Sequence, residues 1–300
     1  MLTLTILGNN SAIPAFGRNP TAQFLQSDHH GFLIDCGEGT QHQISRYKIK
    51  PGKISHILIS HLHGDHYFGL IGLLTTMSLL SRVQEIHLHG PAALMEIIAL
   101  QLTVADSYLH FPLHFHPLKE EGVIMESESM QVKAFKVNHR IECWGFVFAE
   151  KRNRRKIIAE KALAFGIPPA YFEQLHKGAD YVHPKGTIIN NEEVTEPISH
   201  AVRYAYCADT LFDRSIITHI KEVDLLYHET TYLKADAEKA AMRFHSTTHQ
   251  AGLIAKEANA KKLMIGHFSS KYESIQPFLE ETLETFESTL LATEGSCIKI

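Results

Sequence analysis

The stretch SHLHGDHYFG, residues 60–69, places three histidines and an aspartate directly after the apolar run ISHILIS. In an extended segment, side chains two positions apart point to the same side, so His61 and His63 can bind one ion. Asp65 and His66 lie one turn further along and can bind a neighbouring ion. Zinc and other first-row divalent metals bind imidazole and carboxylate groups well. This spacing therefore favours a metal site over a polar loop of hydrogen-bonded histidines.

Three further potential ligands stand where apolar, strand-like runs end. His139 ends MQVKAFKVNH, Asp209 ends VRYAYCAD and His267 ends KLMIGH. Such ends are the usual position of site residues in open α/β architectures. For each of the three taken singly, a capping or surface role remains the alternative. With Asp209 shared between two ions, the expected ligand sets are His61, His63 and His139 for one ion, and Asp65, His66 and His267 for the other.

The order of strand-like and helix-like segments predicts an α/β fold. Runs such as LTLTIL (2–7) and VRYAYCAD (202–209) have the length and composition of strands. Residues 68–83 and 249–260 have helical length and apolar spacing. Strands, then helices, then strands and helices again suggest two packed sheets with helices outside. The 300 residues fit two domains or one large domain.

Composition narrows the class of protein. The chain is 44% hydrophobic and 21% charged, as expected for a globular protein with a substantial core. Apolar runs are shorter than a membrane span, and the N-terminus lacks a secretory signal pattern, so we expect no membrane partner. Four widely spaced cysteines favour reduced thiols and a cytoplasmic location. With a net charge of −4, binding of nucleic acid would require a local basic patch.

Other histidines are interpreted as structural. LHFPLHFHPL contains His110, His114 and His116 without a carboxylate nearby in the sequence. Alternation along a strand explains this spacing, and EIHLHG (85–90) likewise resembles the edge of a strand.

Residues 152–200 have a weaker pattern and are interpreted as a protruding insertion. Two short helices are expected around Pro168 and Pro169, followed by a polar, turn-rich stretch. A solvated helix face and a surface that grips a nucleic-acid backbone are both compatible with the basic run that precedes them. This run consists of Lys151, Arg152, Arg154, Arg155 and Lys156.

Several stretches together resemble the ribonuclease Z family of the metallo-β-lactamase superfamily. They include FLIDCGEGTQHQI, HLHGDHYFGLIGLL, NHRIECWGFVF, LLYHETTY, FHSTTHQAGLIAKEA and IGHFSSKY. The resemblance runs from residue 1 to about residue 272. It implies an αβ/βα sandwich of two mixed sheets with outer helices, classed as α/β or α+β. It also implies a single domain over 1–300, with an RNA-binding arm inserted at about 152–200.

The resemblance also implies an activity: a zinc-dependent endoribonuclease that removes the 3′ trailer from precursor tRNA. The products would be a tRNA with a 3′-hydroxyl and a trailer with a 5′-phosphate. Two zinc ions per subunit and a homodimer are typical of the family. The family's ligands correspond to the seven residues named above. Its catalytic residues correspond to Asp65, His245 and Glu229; without the resemblance, His245 reads as a histidine before a helix cap.

One loop departs from the family pattern, which usually reads Pro-x-Lys/Arg-x-Arg-Asn. Here PAFGRN keeps Pro14, Arg18 and Asn19, whereas Phe16 replaces the basic residue. Because that loop is linked to sensing the tRNA 3′ end, discrimination against CCA-ended tRNA is an open question. The expected substrate contacts are Pro14, Arg18, Asn19, Arg152, Arg154 and Arg155.

Two other functions remain compatible with the residues. A hydrolase of the same superfamily that acts on small phosphodiesters or other esters would use the same ligands without a basic arm. A protein that binds metal or RNA without catalysis is the second alternative, although the complete ligand set argues against it. Cleavage of precursor tRNA, with binding that depends steeply on salt, distinguishes the nuclease from both.

Overall fold

The computed structural model describes residues 2–151, 155–197 and 201–300, which form an α/β fold. The strands are β1 Thr3–Gly8, β2 Asn10–Ser11, β3 Ala22–Gln26, β4 Gly31–Ile34, β5 His56–Leu58, β6 Ile86–Gly90, β7 Leu113–Pro117, β8 Gly122–Glu126, β9 Met130–Lys136, β10 Trp144–Glu150, β11 Arg155–Ile157, β12 Tyr181–Val182, β13 Ile188–Ile189, β14 Thr195–Pro197, β15 Val202–Cys207, β16 Leu225–Glu229, β17 Leu263–Gly266, β18 Phe268–Ser269, β19 Thr289–Leu291 and β20 Cys297–Lys299. The helices are α1 Thr40–Arg46, α2 Gly64–Tyr67, α3 Leu70–Leu79, α4 Ala93–Val104, α5 Ala159–Ala164, α6 Phe172–His176, α7 Asn191–Val194, α8 Ile217–Ile220, α9 Ala237–Met242, α10 Thr248–Glu257 and α11 Gln276–Leu283. Within the described ranges, every helix falls short of the length and apolar character needed to cross a bilayer.

Two seven-stranded mixed sheets form the framework. One has the order β20-β1-β3-β4-β5-β6-β7 and the other the order β19-β17-β16-β15-β10-β9-β8. Strands β4 to β7 are parallel, as are β15, β16, β17 and β19, whereas the remaining neighbours are antiparallel. The predicted fold class, two mixed sheets with outer helices, is confirmed.

Alternation along the strands explains the layers. In the first sheet, Phe32, Ile34 and Leu58 belong to the core that the two sheets share. Their sequence neighbours Leu33 and Ile57 belong to a second core, formed with residues of α1, α3 and α4. Because successive strand residues point to opposite faces, each strand needs apolar residues at nearly every position.

The helix predicted over 68–83 is shorter in the structure. Helix α2 ends at Tyr67, and α3 runs only from Leu70 to Leu79. Gly69 separates them, and a Cβ there would lie 2.2 Å from the carbonyl oxygen of Gly37. Residues 273–300, which follow the stretch that carries the family resemblance, supply α11 and the edge strands β19 and β20.

The insertion has a small core of its own. Strands β11 and β14 pair with each other where the insertion begins and ends, so the chain leaves and returns at one place. Helices α5 and α6 lie on either side of Pro168 and Pro169, as predicted, and β12 pairs with β13. Its buried residues, separate from the other two clusters, are Ala162, Ile167, Leu175, Tyr181, Ile189 and Val194.

The described residues of the basic run at the start of the insertion do not form a helix face. Arg152 and Arg154 lie outside the described residues, and 155–157 is strand β11. Arg155 Nε donates a hydrogen bond to Thr195 Oγ1 at 2.7 Å. Lys156 pairs with Glu196 on the neighbouring strand, where both side chains are largely exposed.

Candidate metal centre

The ends of several strands bring the predicted ligands to one edge of the sandwich. His61 and His63 follow β5, and His66 lies in α2 directly after them. Asp209 follows β15 and His267 follows β17, two strands that run parallel in the second sheet. Because parallel strands end at the same edge, residues far apart in sequence meet there.

Four of these residues form the first group of potential ligands. The Nδ1 atom of His63 lies 3.1 Å from His61 Nε2 and 3.1 Å from His139 Nε2. Asp209 Oδ2 is 3.6 Å from His61 Nε2 and 3.9 Å from His139 Nε2. Ligand atoms at these separations can surround one ion at the roughly 2.0–2.1 Å typical of zinc–nitrogen bonds.

The second group lies directly beside the first. His66 Nε2 and His267 Nε2 are 3.3 Å apart, and Asp65 Oδ2 lies 3.6 and 3.4 Å from them, respectively. Asp209 Oδ1 is 3.4 Å from His66 Nε2 and 3.2 Å from His267 Nε2. The structure thus brings all seven predicted ligands together, and Asp209 faces both groups.

Asp35 orients two of the histidines. This buried carboxylate accepts hydrogen bonds from His66 Nδ1 at 2.7 Å, from Ser60 Oγ at 2.8 Å and from the Tyr206 hydroxyl at 2.6 Å. Because Ser60 uses its only proton on Asp35, its oxygen accepts from His61 Nδ1, 3.0 Å away. In its neutral form each ring therefore carries its proton on Nδ1 and presents Nε2 to the ligand groups.

Thr231 and a backbone carbonyl orient two more histidines. Thr231 Oγ1 donates to Glu229 Oε2 at 2.8 Å, so it accepts from His267 Nδ1, also at 2.8 Å. His139 Nδ1 donates to the Phe244 carbonyl at 2.9 Å. In both rings Nε2 is again left for the ligand group. His267 adopts a left-handed backbone with φ 61°, a conformation that concentrates at functional sites.

The charges of the centre suit a divalent cation. Asp209 Oδ1 is buried and makes no hydrogen bond to the described residues, which is costly for an anionic oxygen. Burial raises the pKa of Asp209, but the facing histidines His267 and His66 more than offset this and hold it well below its usual range. Burial lowers the pKa of His61 far below its usual value and that of His63 to about 4, so both rings are neutral ligands. A bound divalent cation would provide a partner for Asp209 Oδ1, so the residues fit such a cation.

His245 and Glu229 form a pair beside the ligands. His245 Nδ1 lies 3.0 Å from Glu229 Oε1. Glu229 is fully buried and also accepts from the backbone N–H groups of Thr210, Thr231 and Ser246. Burial lowers the pKa of His245, but the Glu229 carboxylate outweighs it and raises the pKa to about 9. Among the described residues His245 Nε2 takes part in no hydrogen bond, so it is free to meet a substrate.

The PAFGRN loop is fixed by its own contacts. Arg18 donates to Asn10 Oδ1 and to the carbonyls of Tyr272 and Glu273. Asn19 binds the Glu294 carboxylate through its backbone and side-chain N–H groups. These partners give both residues a structural role in the loop, and the predicted substrate contacts of Arg18 and Asn19 stay predictions. Pro14 lines the cavity beside the ligands.

The sequence interpretation did not include Asp35, Ser60 and Thr231 among the site residues. Asp35 lies in FLIDCGEG, a stretch that carries part of the family resemblance. Thr231 follows Glu229 in HETTY by two positions. The sequence signal for Asp35 is its position, because it is a polar residue at the end of a predicted buried strand.

A cavity of about 720 Å³ opens over the centre. Asp65, His139, Asp209 and His245 contribute to its lining. The residues around them are mainly small, apolar or basic, and the cavity is open to solvent. It is therefore large enough to admit a segment of a polymer next to the ligand groups.

The chain has relatives of known name along nearly its whole length. The family profile described as "Anti-Pycsar protein Apyc1" matches residues 2–159. Ribonuclease Z of Cytophaga hutchinsonii is 46% identical over 296 residues, which cover 98% of this chain and 94% of that protein. Ribonuclease Z of Bacteroides fragilis is 39% identical over 299 residues, covering 99% and 98%.

Solved structures share the fold along the whole chain. The short form of human tRNase Z has a TM-score of 0.74 and 28% identity, with 99% of each chain covered. A metallo-β-lactamase fold protein of Bacillus subtilis has a TM-score of 0.69 and 18% identity, covering 99% of this chain and 98% of that one.

Proposed function

Because the chain belongs to the ribonuclease Z family of metallo-β-lactamase-fold hydrolases, an endoribonuclease family, we propose that it removes the 3′ trailer from precursor tRNA. The observation that carries the proposal is the arrangement of seven potential metal ligands beside His245 and the buried Glu229, under one open cavity. Two divalent metal ions, which we propose to be zinc, would lower the pKa of water and offset phosphate charge when bound.

The side chains of this chain supply the remaining steps. Asp65 is fixed by the Ala12 backbone N–H, which donates to Oδ2 at 2.7 Å, and its carboxylate orients the attacking water. His245, with a pKa of about 9, is protonated at neutral pH and donates to the departing 3′ oxygen through Nε2. Glu229 stabilises the protonated ring. Water then adds to phosphorus as the bond to the 3′ oxygen breaks, which yields a 3′-hydroxyl tRNA and a 5′-phosphate trailer.

The insertion is proposed as the RNA-binding arm of a single domain that spans residues 1–300. Its stalk, β11 paired with β14, and its own apolar cluster support a rigid projecting unit. Phosphate contacts by the basic run would make binding depend on salt, and Arg155, Arg152 and Arg154 are the proposed contacts there. Pro14 is proposed to contact the RNA from the cavity wall, while Arg18 and Asn19 hold its loop in shape.

We propose that the protein is a homodimer that joins through α3, α4 and the turns after them. Large apolar side chains are exposed on these helices and turns, and a second copy would cover them. They are Leu79, Leu80, Val83, Leu100 and Val104. Sedimentation at micromolar concentration should give twice the chain mass, and Leu100→Glu should give one chain mass. A wild-type monomer would contradict this.

A cytoplasmic location is proposed from the cysteines. Cys36, Cys143 and Cys207 are buried and unpaired, as expected where thiols stay reduced. Fractionation of cells that make a tagged chain tests this, and recovery outside the cytoplasm would contradict it.

The decisive experiment is incubation of the purified protein with end-labelled precursor tRNA, with and without a chelator. The expected result is a single metal-dependent cut at the 3′ end of the tRNA. His245→Ala should bind metal as the wild type does and cleave at least about 100-fold more slowly, as expected for loss of a general acid. Cleavage of a small phosphodiester without cleavage of precursor tRNA would instead support the alternative hydrolase.

A further inference from the structure

An exposed aromatic ring stands on the wall of the cavity over the metal centre. Phe68 lines this cavity together with His63 and Asp65, yet it is 63% exposed. Its backbone N–H donates to the Gly64 carbonyl at 2.9 Å. The ring lies so close to Gly64 that a Cβ there would approach its Cε2 atom to 2.2 Å. Glycine at position 64 thus leaves room for the aromatic ring beside the backbone.

Two arginines on the same cavity have no acidic partner among the described residues. Arg243 Nη1 contacts the Tyr232 hydroxyl at 3.3 Å, and Arg140 Nη2 lies 3.2 Å from His63 Nε2. With His63 Nδ1 bound to a metal ion, the ring proton would lie on Nε2, which then could not accept a hydrogen bond from Arg140. The guanidinium donors of Arg140 would then be available to an anionic group such as a phosphate.

Resting on the function proposed above, we propose that this cavity is a subsite for a nucleotide that flanks the scissile phosphate. Phe68 stacks on its base, and Arg140 binds a neighbouring phosphate. Every base has a flat face, so stacking on an aromatic ring tolerates any sequence. Arginine recognises phosphate through several parallel hydrogen bonds. The subsite would position single-stranded RNA across the centre without reading its sequence.

Phe68→Ala tests the stacking contact. Loss of one stacked base predicts about 5- to 150-fold weaker kcat/KM for precursor tRNA. The second change of a double-mutant cycle is made in the RNA. For this, precursors carry an abasic nucleotide directly 5′ or directly 3′ of the cut. At one of these positions, removal of the base should weaken cleavage by the wild type and leave Phe68→Ala unchanged. Equal loss in both proteins at both positions would overturn the proposal.

Equilibrium binding separates this subsite from the activity. Fluorescence anisotropy of labelled precursor is measured with chelator-treated protein, in which cleavage does not occur. Phe68→Ala should weaken binding within the same range, and Arg140→Gln should also reduce the salt slope by about one. Leu283→Ala, which removes a 41% exposed side chain on α11, is the control and should match the wild type.

The two proposals fail in different ways. If the wild type leaves the precursor intact, the proposed nuclease function fails. The anisotropy measurements on the wild type and Phe68→Ala still test the subsite in that case. If the wild type cleaves and Phe68→Ala stays within about twofold of it in both assays, the subsite fails and the nuclease remains. Near-normal circular dichroism and melting of Phe68→Ala exclude unfolding as the cause of any loss.

Discussion

Acid should destabilise this protein through two buried histidines that lie outside the metal centre. His56 and His89 belong to a group of stacked imidazoles on β5, β6 and β7, with His56 Nδ1 3.5 Å from His89 Nε2. Burial, and then the neighbouring histidines, lower the pKa of each to about 3. The unfolded chain, in which a histidine has a pKa of about 6.5, binds protons that the folded chain does not. Stability therefore falls as the pH decreases from about 6.5 towards 3.

The size of the effect follows from the two pKa values. Between neutral pH and pH 5, each histidine is neutral when folded and becomes protonated when unfolded. Protonation 1.5 pH units below a pKa of 6.5 favours unfolding by about 2 kcal/mol per residue, or about 4 kcal/mol for the pair. Because a folded pKa anywhere near 3 leaves the ring neutral at pH 5, the figure depends mainly on the unfolded value.

The assay is urea unfolding of chelator-treated protein at pH 7.5 and pH 5.0. In His56→Gln with His89→Gln, the loss of stability between the two pH values should be about 4 kcal/mol smaller than in the wild type. Each protein is compared with itself at the two pH values, so the direct cost of the substitutions cancels. The metal-centre histidines contribute equally to both proteins and cancel as well. His29→Gln, in an exposed turn, is the control and should lose as much as the wild type. An equal loss in the double variant would refute the reasoning.

Three other outcomes are expected. Asp35→Asn should weaken zinc binding about 10- to 100-fold in chelator competition, because Asp35 fixes the proton of His66 on Nδ1; unchanged affinity would contradict this role. Glu229→Gln should lower the pKa of His245 below its value of about 9, because the carboxylate that stabilises the protonated ring is lost. NMR titration of metal-free protein measures this pKa, and an unchanged value would exclude Glu229 as the cause of the raised pKa. Gly8→Ala would place a Cβ 1.7 Å from the Pro20 carbonyl oxygen and should cost about 3 kcal/mol or more in urea unfolding. Gly52→Ala, with open space around it, should cost far less, and similar costs would count against the packing argument.

The sequence predicted most of the centre because its ligands follow strands with strong apolar patterns. His139, Asp209 and His267 each follow such a run, and parallel strands bring their ends to one edge. The family resemblance, rather than the pattern, pointed to His245, which stands two residues before the cap of α10. Spacing alone cannot distinguish a histidine before a cap from a catalytic one.

Other features depend on contacts that no local pattern contains. Asp35 acts through His66, 31 positions later, and the pairing becomes visible only when β4 and β5 lie side by side. The final residues lack a marked pattern, because short edge strands such as β20 need few apolar residues. The interpretation of 85–90 as a strand identified β6, and the structural reading of His114 and His116 agrees with their place in β7.

The paired ends of the insertion have an engineering consequence. Since Ile157 and Thr195 face each other across β11 and β14, a tight turn can join the two strands after everything between them is deleted. The remaining protein keeps both large sheets and all seven potential ligands. The same junction can accept the corresponding segment of a relative, so the proposed RNA-binding arm can be exchanged while the seven potential ligands stay in place.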